Sequence, residues 1–361
     1  MSTTLSPASV PPRRLRFADL RRSAKICVLL FVSLLVCGLL EVAARVYWKM
    51  SRGIPVTRPD LIYRGFFREW QESGIDAVAP NHGEDSFDVL LLGGSVLHQD
   101  WGDIAPRLQS GLAAKLGRKV RVINLASPGR ISLDSRLKYE HLGDRRFDLV
   151  LVYEGINDVK LNNTPPGNFR TDYSHHPRYA QLNHLLGDRD PHYLMLPFTM
   201  YFLKTSLLEK LGMLKQPCQE YNACGKDIRT PLSLAANLTA IAETARQRGD
   251  PLLLVTFASY IPADYTEGAF KAKTGEGDGH RCELSMWGMP ENVAHALDLH
   301  NEVTRRVAAD YPEVLLIDEA ALMPKQETCY IDACHLTKVG CERFVANILT
   351  HLDAEKLGGR R

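Results

Sequence analysis

The sequence predicts an α/β domain folded as a three-layer α/β/α sandwich on a parallel sheet, preceded by one N-terminal transmembrane helix. Three observations point there. Short runs of strand-forming apolar residues recur between positions 86 and 361, amphipathic helical patterns separate most of them, and a long apolar stretch near the N-terminus follows a cluster of arginines. Strands that are apolar throughout, rather than alternating, are buried on both faces, which is the habit of parallel sheets covered by helices.

The N-terminal pattern comes first in the chain. Arg13, Arg14, Arg16, Arg21, Arg22 and Lys25 precede the apolar run 26–40, with Asp19 the one acid among them. Carried on to Trp48, a helix over 26–48 would be about 34 Å long, enough to cross a bilayer if Glu41 and Arg45 reach the interface. The basic segment 1–25, rich in Ser, Pro and Arg, is expected to be disordered and cytoplasmic, which places the rest of the chain outside the cytoplasm. Val42-Ala43-Ala44 resembles a small-residue cleavage site, so a cleaved signal peptide competes with an anchor. Tyr47, Trp48 and Lys49 continue the pattern as an interfacial belt and favour the anchor. Cys37 is a poor lipoprotein site, because Val36 occupies a position where a small residue is expected.

Residues 49–85, with Pro55, Pro59 and Pro80, read as a linker or lead-in to a domain over 86–361. Within it, strands are expected at 87–92, 120–125, 147–153, 251–257 and 314–317, and helices at 101–116, 133–142, 232–248, 291–310 and 337–357. An insertion over about 161–229 separates the third and fourth strands, a size that suits a lid. Its apolar stretch 193–214 is interrupted by Pro197, Lys204, Glu209 and Lys210, too polar for a second span. It reads as an amphipathic cover helix, with a membrane-surface helix as the alternative. Six cysteines lie outside the apolar segment: Cys218, Cys224, Cys282, Cys329, Cys334 and Cys341. They permit three disulfides, Cys218 with Cys224 being near enough for a local staple, or they are buried thiols. The net charge of +2 is too balanced to suggest nucleic-acid binding.

Ligands of open α/β sheets bind beyond the carboxyl ends of strands, and the residues able to carry chemistry fall just there. Ser95, in Gly93-Gly94-Ser95-Val96, follows the first strand; Gly129, in Ala126-Ser127-Pro128-Gly129, follows the second; Asn157, in Gly155-Ile156-Asn157-Asp158, follows the third; Asp332 and His335 lie near the C-terminal end. Each block alone is a turn or a cap. No lysine follows Ser95 at P-loop spacing, and Leu97 breaks a Gly-x-Ser-x-Gly elbow. Together and in this order, the four blocks resemble the SGNH/GDSL hydrolase superfamily over about 87–357.

That resemblance implies a flavodoxin-like five-stranded sheet and a serine ester hydrolase. By matching blocks, Ser95 would be nucleophile and first oxyanion donor, Gly129 the second donor and Asn157 the third, while His335 would be the general base oriented by Asp332. No cofactor and no metal are needed. The first block departs from Gly-Asp-Ser-Leu, which weakens subfamily assignment more than catalysis, and the insertion has no counterpart in the minimal pattern. Membrane-tethered relatives imply O-acyl (acetyl) groups of cell-surface or exported carbohydrate as substrate, with O-acyl transfer, lipid ester hydrolysis or a catalytically idle polysaccharide-binding module as alternatives. Cys334 reads as structural rather than nucleophilic. His175, His176, His184 and His192 match no compact ligand spacing, and His98 and Gln99 could reach substrate or open the next helix.

Overall fold

The computed structural model describes residues 21–79, 86–187, 194–213, 226–272, 281–353 and 357. Five strands, β1 (Ser86–Gly93), β2 (Lys119–Asn124), β3 (Leu149–Tyr153), β4 (Leu252–Val255) and β5 (Leu315–Ile317), pair in the order β2-β1-β3-β4-β5, every pair parallel. The helices before and within the first half of the sheet are α1 (Arg22–Arg52), α2 (Ile62–Phe66), α3 (Arg68–Glu72), α4 (Ile104–Leu116), α5 (Ser132–His141), α6 (Ile156–Lys160), α7 (Pro177–Leu182) and α8 (Met195–Lys210). Those after it are α9 (Thr230–Arg248), α10 (Glu267–Ala272), α11 (Pro290–Asp310), α12 (Glu319–Leu322) and α13 (Lys338–His351).

The layers follow from the twofold alternation of strand side chains. Val89 and Leu91 point into a cluster with Leu108 and Leu112 of α4 and Phe344 and Ile348 of α13. Their neighbours Leu90 and Leu92 are just as inaccessible, on the opposite face. On one side α4 packs against α13; on the other, α5 lies against α9 and α9 against α11. All five strands and all five long helices expected for the domain are present, with shifted ends. The first helix starts at Ile104 rather than 101, because Gly102 is a poor helix residue and Asp103 takes the N-cap position, pairing with Arg107 at 2.7 Å. The last ends at His351 rather than 357.

The chain divides into two compact units, Met1–Leu61 with Pro191–Tyr201, and Ile62–Asp190 with Phe202–Arg361. In the smaller, α1 is 31 residues long, with a mean hydropathy of 2.7 over its most apolar window and no part of that window buried, so it is long and apolar enough to cross a membrane. The acid late in this helix has a use. The Glu41 carboxylate accepts from the Met195 and Leu196 N–H groups at 3.0 and 2.7 Å and from Arg45 at 2.6 Å, satisfying the first turn of α8 and its dipole. Trp48 Nε1–H donates to Thr199 at 2.8 Å.

The larger unit takes in part of what the sequence reads as linker. Ile62, Tyr63, Phe67, Trp70 and Ile75 are buried, and Tyr63 and Trp70 set their ring edges on His141 at 4.9 and 5.6 Å. The steps of four and three residues from Tyr63 to Phe67 to Trp70 are a helical signal, hidden by the shortness of α2 and α3. The cysteine expectation also changes. Cys282, Cys329, Cys334 and Cys341 are free thiols, three of them buried as small apolar side chains; Cys218 and Cys224 lie outside the described residues, as do His192 and nearly all of segment 1–25. In α8, Met200, Leu203 and Leu207 are exposed, so the helix does not bury a full apolar face.

Glu319, at the start of α12, is fully buried; Asn347 donates to one carboxyl oxygen at 2.8 Å and the other has no partner among the described residues. Burial pushes its carboxyl up to about 8, against about 4.3 for a solvated glutamate. An acid raised on folding contributes stability below the unfolded value and loses it as pH rises toward the folded one. Wild-type stability, from denaturant midpoints of the full chain in detergent, should therefore fall relative to Glu319→Gln as pH goes from about 4.3 to 8; a constant difference would refute the assignment.

Candidate active site

In a sheet of order 2-1-3-4-5 the connections leave β1 and β3 in opposite directions, opening a crevice beyond their carboxyl ends. Ser95 begins a single 3-10 turn two residues past β1, and Asn157 is the second residue of α6, just past β3. The two meet because glycine precedes the serine. A Cβ on Gly93 would lie 2.6 Å from the Tyr153 carbonyl, and one on Gly94 would lie 2.6 Å from Asn157 Nδ2. Neither site tolerates a side chain without displacing a neighbour.

From the far end of the chain, His335 Nε2 comes within 2.7 Å of Ser95 Oγ, and His335 Nδ1 within 2.7 Å of Asp332 Oδ2. Paired with a carboxylate, Nδ1 carries the proton and Nε2 is left to accept from the serine hydroxyl, a tautomer assigned from its partners. Asp332 folds its own loop around itself: Oδ1 accepts from the Cys334 and His335 N–H groups at 2.9 and 2.8 Å, and Oδ2 from the Cys282 N–H at 2.8 Å. Burial works to raise this carboxyl, but the bonds from His335 and Cys334 outweigh it and hold it below the usual aspartate value. The site is therefore a charged carboxylate behind an imidazole in a water-poor setting.

The third block is tied down from behind. One Asn157 Nδ2 hydrogen goes to the Arg130 carbonyl at 2.8 Å, which orients the amide and leaves its second hydrogen available. Asp158 accepts from Ser132 N–H and Oγ–H at 2.9 and 2.6 Å, joining the α6 turn to the start of α5. Gly129 sits at φ 68°, a left-handed conformation that favours glycine, and its N–H meets no backbone acceptor among the described residues. Ser95 N–H opens its 3-10 turn, so it too lacks an acceptor within the turn.

Ser95, Gly129, Asn157 and His335 line one cleft of about 510 Å³, with Trp101, Arg130, Lys160, His176, Arg178, Cys282 and Trp287 around them. The insertion contributes Leu161, His176, Arg178 and Tyr179; no described residue of α8 lines it. Asp332 faces away, toward a smaller cavity of about 270 Å³ beside Tyr260 and Tyr330.

Several residues at the site were not read from the sequence. Trp101 stacks on the His335 ring at 4.0 Å between centroids and 26° between planes, which limits rotation of the imidazole. Lys138, buried in α5, donates to the Leu125 carbonyl and Ser127 Oγ at 2.6 and 2.7 Å and so pins the turn that carries Gly129; burial pushes its ammonium down to about 8. His98 accepts from the Asp100 N–H at 3.3 Å and does not line the cleft. His175 is buried behind Arg170 N–H, while His176 both caps α7 and faces the cleft. Cys334 keeps its thiol 3.6 Å from His335 Nδ1, and burial pushes it well above the usual thiol value, which suits a packing role. Cys282 sulfur, an Asp332 oxygen and a His335 nitrogen lie within 4.8 Å of one another. As metal donors they fit poorly, since both imidazole nitrogens are already engaged and burial pushes the Cys282 thiol up to about 12.

Two outcomes follow from this geometry. Asp332→Asn should slow the reaction of Ser95 with a fluorophosphonate by about 10³–10⁴, because an amide there favours the other imidazole tautomer; rates within threefold of wild type would show that Asp332 does not set the His335 tautomer. Gly94→Ala should slow it by about 10²–10³, through displacement of the Asn157 amide alone, with the circular dichroism of the folded chain unchanged.

No family model matches this chain, and no curated protein matches it either. Among solved structures, it is similar to a GDSL-like lipase from Bacteroides thetaiotaomicron, at 13% identity and a TM-score of 0.40 over 77% of this chain and 93% of that one. It is similar to the acetylxylan esterase Axe2 from Geobacillus stearothermophilus, at 13% identity and a TM-score of 0.40 over 75% and 94%. A lipase/acylhydrolase from Enterococcus faecalis is matched at 15% identity and a TM-score of 0.39 over 75% and 95%. Likeness at this level speaks neither to substrate nor to mechanism. By its own strand order the chain is an α/β fold on a five-stranded parallel sheet, with its four sequence blocks meeting at the sheet's carboxyl edge.

Proposed function

We propose that the chain is a membrane-anchored serine esterase, working outside the cytoplasm, that removes O-acyl groups, acetyl foremost, from carbohydrate. The observation that carries this reading is the pair of 2.7 Å bonds linking Ser95 Oγ, His335 and Asp332 at the edge of an open cleft. The carbohydrate rests on the family resemblance of the four blocks. The orientation rests on the arginines before α1, which hold that end of the helix on the cytoplasmic side.

The reaction runs in two steps. His335 Nε2 takes the Ser95 proton as Oγ attacks the ester carbonyl, and the oxyanion is met by the Ser95 and Gly129 N–H groups and the second hydrogen of the Asn157 amide. The imidazolium returns its proton to the departing sugar oxygen, leaving an acyl-serine. Water, deprotonated by the same nitrogen, then attacks the acyl-serine and releases the acid and Ser95. Asp332 stays charged throughout and stabilises the imidazolium. Trp101 keeps the ring in register between the two transfers.

The test uses the full chain in detergent with two readouts, fluorophosphonate adduct by peptide mapping and acetate release from an O-acetylated oligosaccharide. An adduct at Ser95 and released acetate, both lost in Ser95→Ala and greatly slowed in His335→Ala, is the expected result. A folded wild type with neither adduct nor acetate release would replace the esterase with a binding module; acetate appearing on an added glycan acceptor instead of in water would make it a transferase.

A further inference from the structure

We infer that the cleft is built for an ester that carries a carboxylate near the scissile bond, and that Lys160 is the residue that recognises it. This deepens the proposed function and rests on it. Every charged side chain among the described residues lining the cleft is basic, Arg130, Lys160 and Arg178, and no described aspartate or glutamate lines it.

The three cations are not equivalent. Arg178 is bound from behind by Asp134 at 3.1 Å and by Glu69, and Arg130 lies 3.8 Å from the same Glu69. Those two arginines form a wall whose charge is largely answered within the fold. The Lys160 ammonium has no ion pair and no side-chain hydrogen bond among the described residues. It is half-buried, at the last position of the helix that carries Asn157. Residues three apart on a helix share a face, so Lys160 stands on the oxyanion side of the cleft. Its charge is felt across the opening. Burial, reinforced by neighbouring cations that include Arg178 and Lys160, pushes His176 down to about 4; Lys160 also opposes the burial that raises Cys282 on another wall.

An ammonium with no counter-ion among the described residues is open to an anion arriving with the substrate, which would gain a charge-assisted bond from it. A lysine is a compact point charge on a flexible stem, so it can follow a carboxylate over a small range of positions, where an arginine would demand one geometry. The carboxylate can belong to the alcohol, as in an O-acylated uronic acid residue, or to the acyl group, as in a half-ester of a dicarboxylic acid.

Two pairs of esters separate those sources: methyl glycosides of O-acetylated glucuronic acid and of O-acetylated glucose, and 4-methylumbelliferyl adipate half-ester with 4-methylumbelliferyl hexanoate. With the full chain in detergent, the anionic member of one pair should have a kcat/KM at least about tenfold above its neutral twin. Lys160→Met should bring that ratio near one, Lys160→Arg should keep most of it, and raised salt should lower it in the wild type. Glucuronide preference would place the anion on the sugar, adipate preference on the acyl group. A wild-type ratio near one in both pairs, or a ratio unaltered by Lys160→Met, would overturn the inference while leaving the esterase standing. Absence of turnover on all four esters, with no fluorophosphonate adduct on the folded chain, would remove both.

Discussion

The site depends on one topological constraint, the reversal of direction between β1 and β3 in a parallel sheet. Because crossovers between parallel strands are right-handed, the chain leaving β1 covers one face and the chain leaving β3 starts toward the other, so the two strand ends face an unfilled crevice. Ser95 and Asn157 occupy those ends, and the Gly93–Tyr153 pairing sets them level. Everything else is brought to this crevice. The Gly129 turn arrives from β2 on the outer side of β1, and His335 arrives after the sheet is complete, from the loop before α13.

That late arrival creates an electrostatic problem which the Asp332 loop solves locally. A buried carboxylate is costly unless its oxygens are answered, and here three backbone N–H groups and one imidazole N–H converge on it. Two of the amides belong to residues within three positions of Asp332, so a single tight turn supplies them. The third comes from Cys282, which ties the loop before α11 to the loop of Asp332 and His335. The same carboxylate thus holds the loop together and fixes the imidazole, which is why its value is lowered in spite of burial.

Behind Gly129 and Asn157 lies a second polar layer, away from the Ser95 hydroxyl. Asp158, raised to about 6 by burial, takes hydrogen bonds from Ser132 and Tyr173; Glu154 beside it is pushed well above the usual glutamate value, by burial and then by Asp158. Lys138, Asp134, Arg178 and Glu69 continue the layer toward the cleft wall. Its effect is to hold three separate turns, those of Gly129, Asn157 and Arg178, in one frame. Glu69 ties α3 into this frame, so the lead-in to the sheet also supports the wall of the site.

Sequence alone determined the local facts, because they depend on neighbours in the chain. Buried strands follow from runs such as Val89 to Leu92, helix faces from three- and four-residue spacing, the anchor-like helix from uninterrupted apolar residues, and the candidate nucleophile, donors and base from short blocks at strand ends. Tertiary structure alone decided what depends on distant residues. Nothing near Trp101 announces that it will stack on His335. A lysine at 138 looks like a surface residue until α5 is packed, and Glu69 reads as part of a linker until Arg178 is brought to it. Whether Cys282, Cys334 and Cys341 are bridged or simply buried was likewise open, since pairing depends on spatial separation. The charge of the cleft was hidden for the same reason: among the described residues Arg130 and Arg178 find their acids and Lys160 does not, a difference made by packing and written nowhere in their spacing.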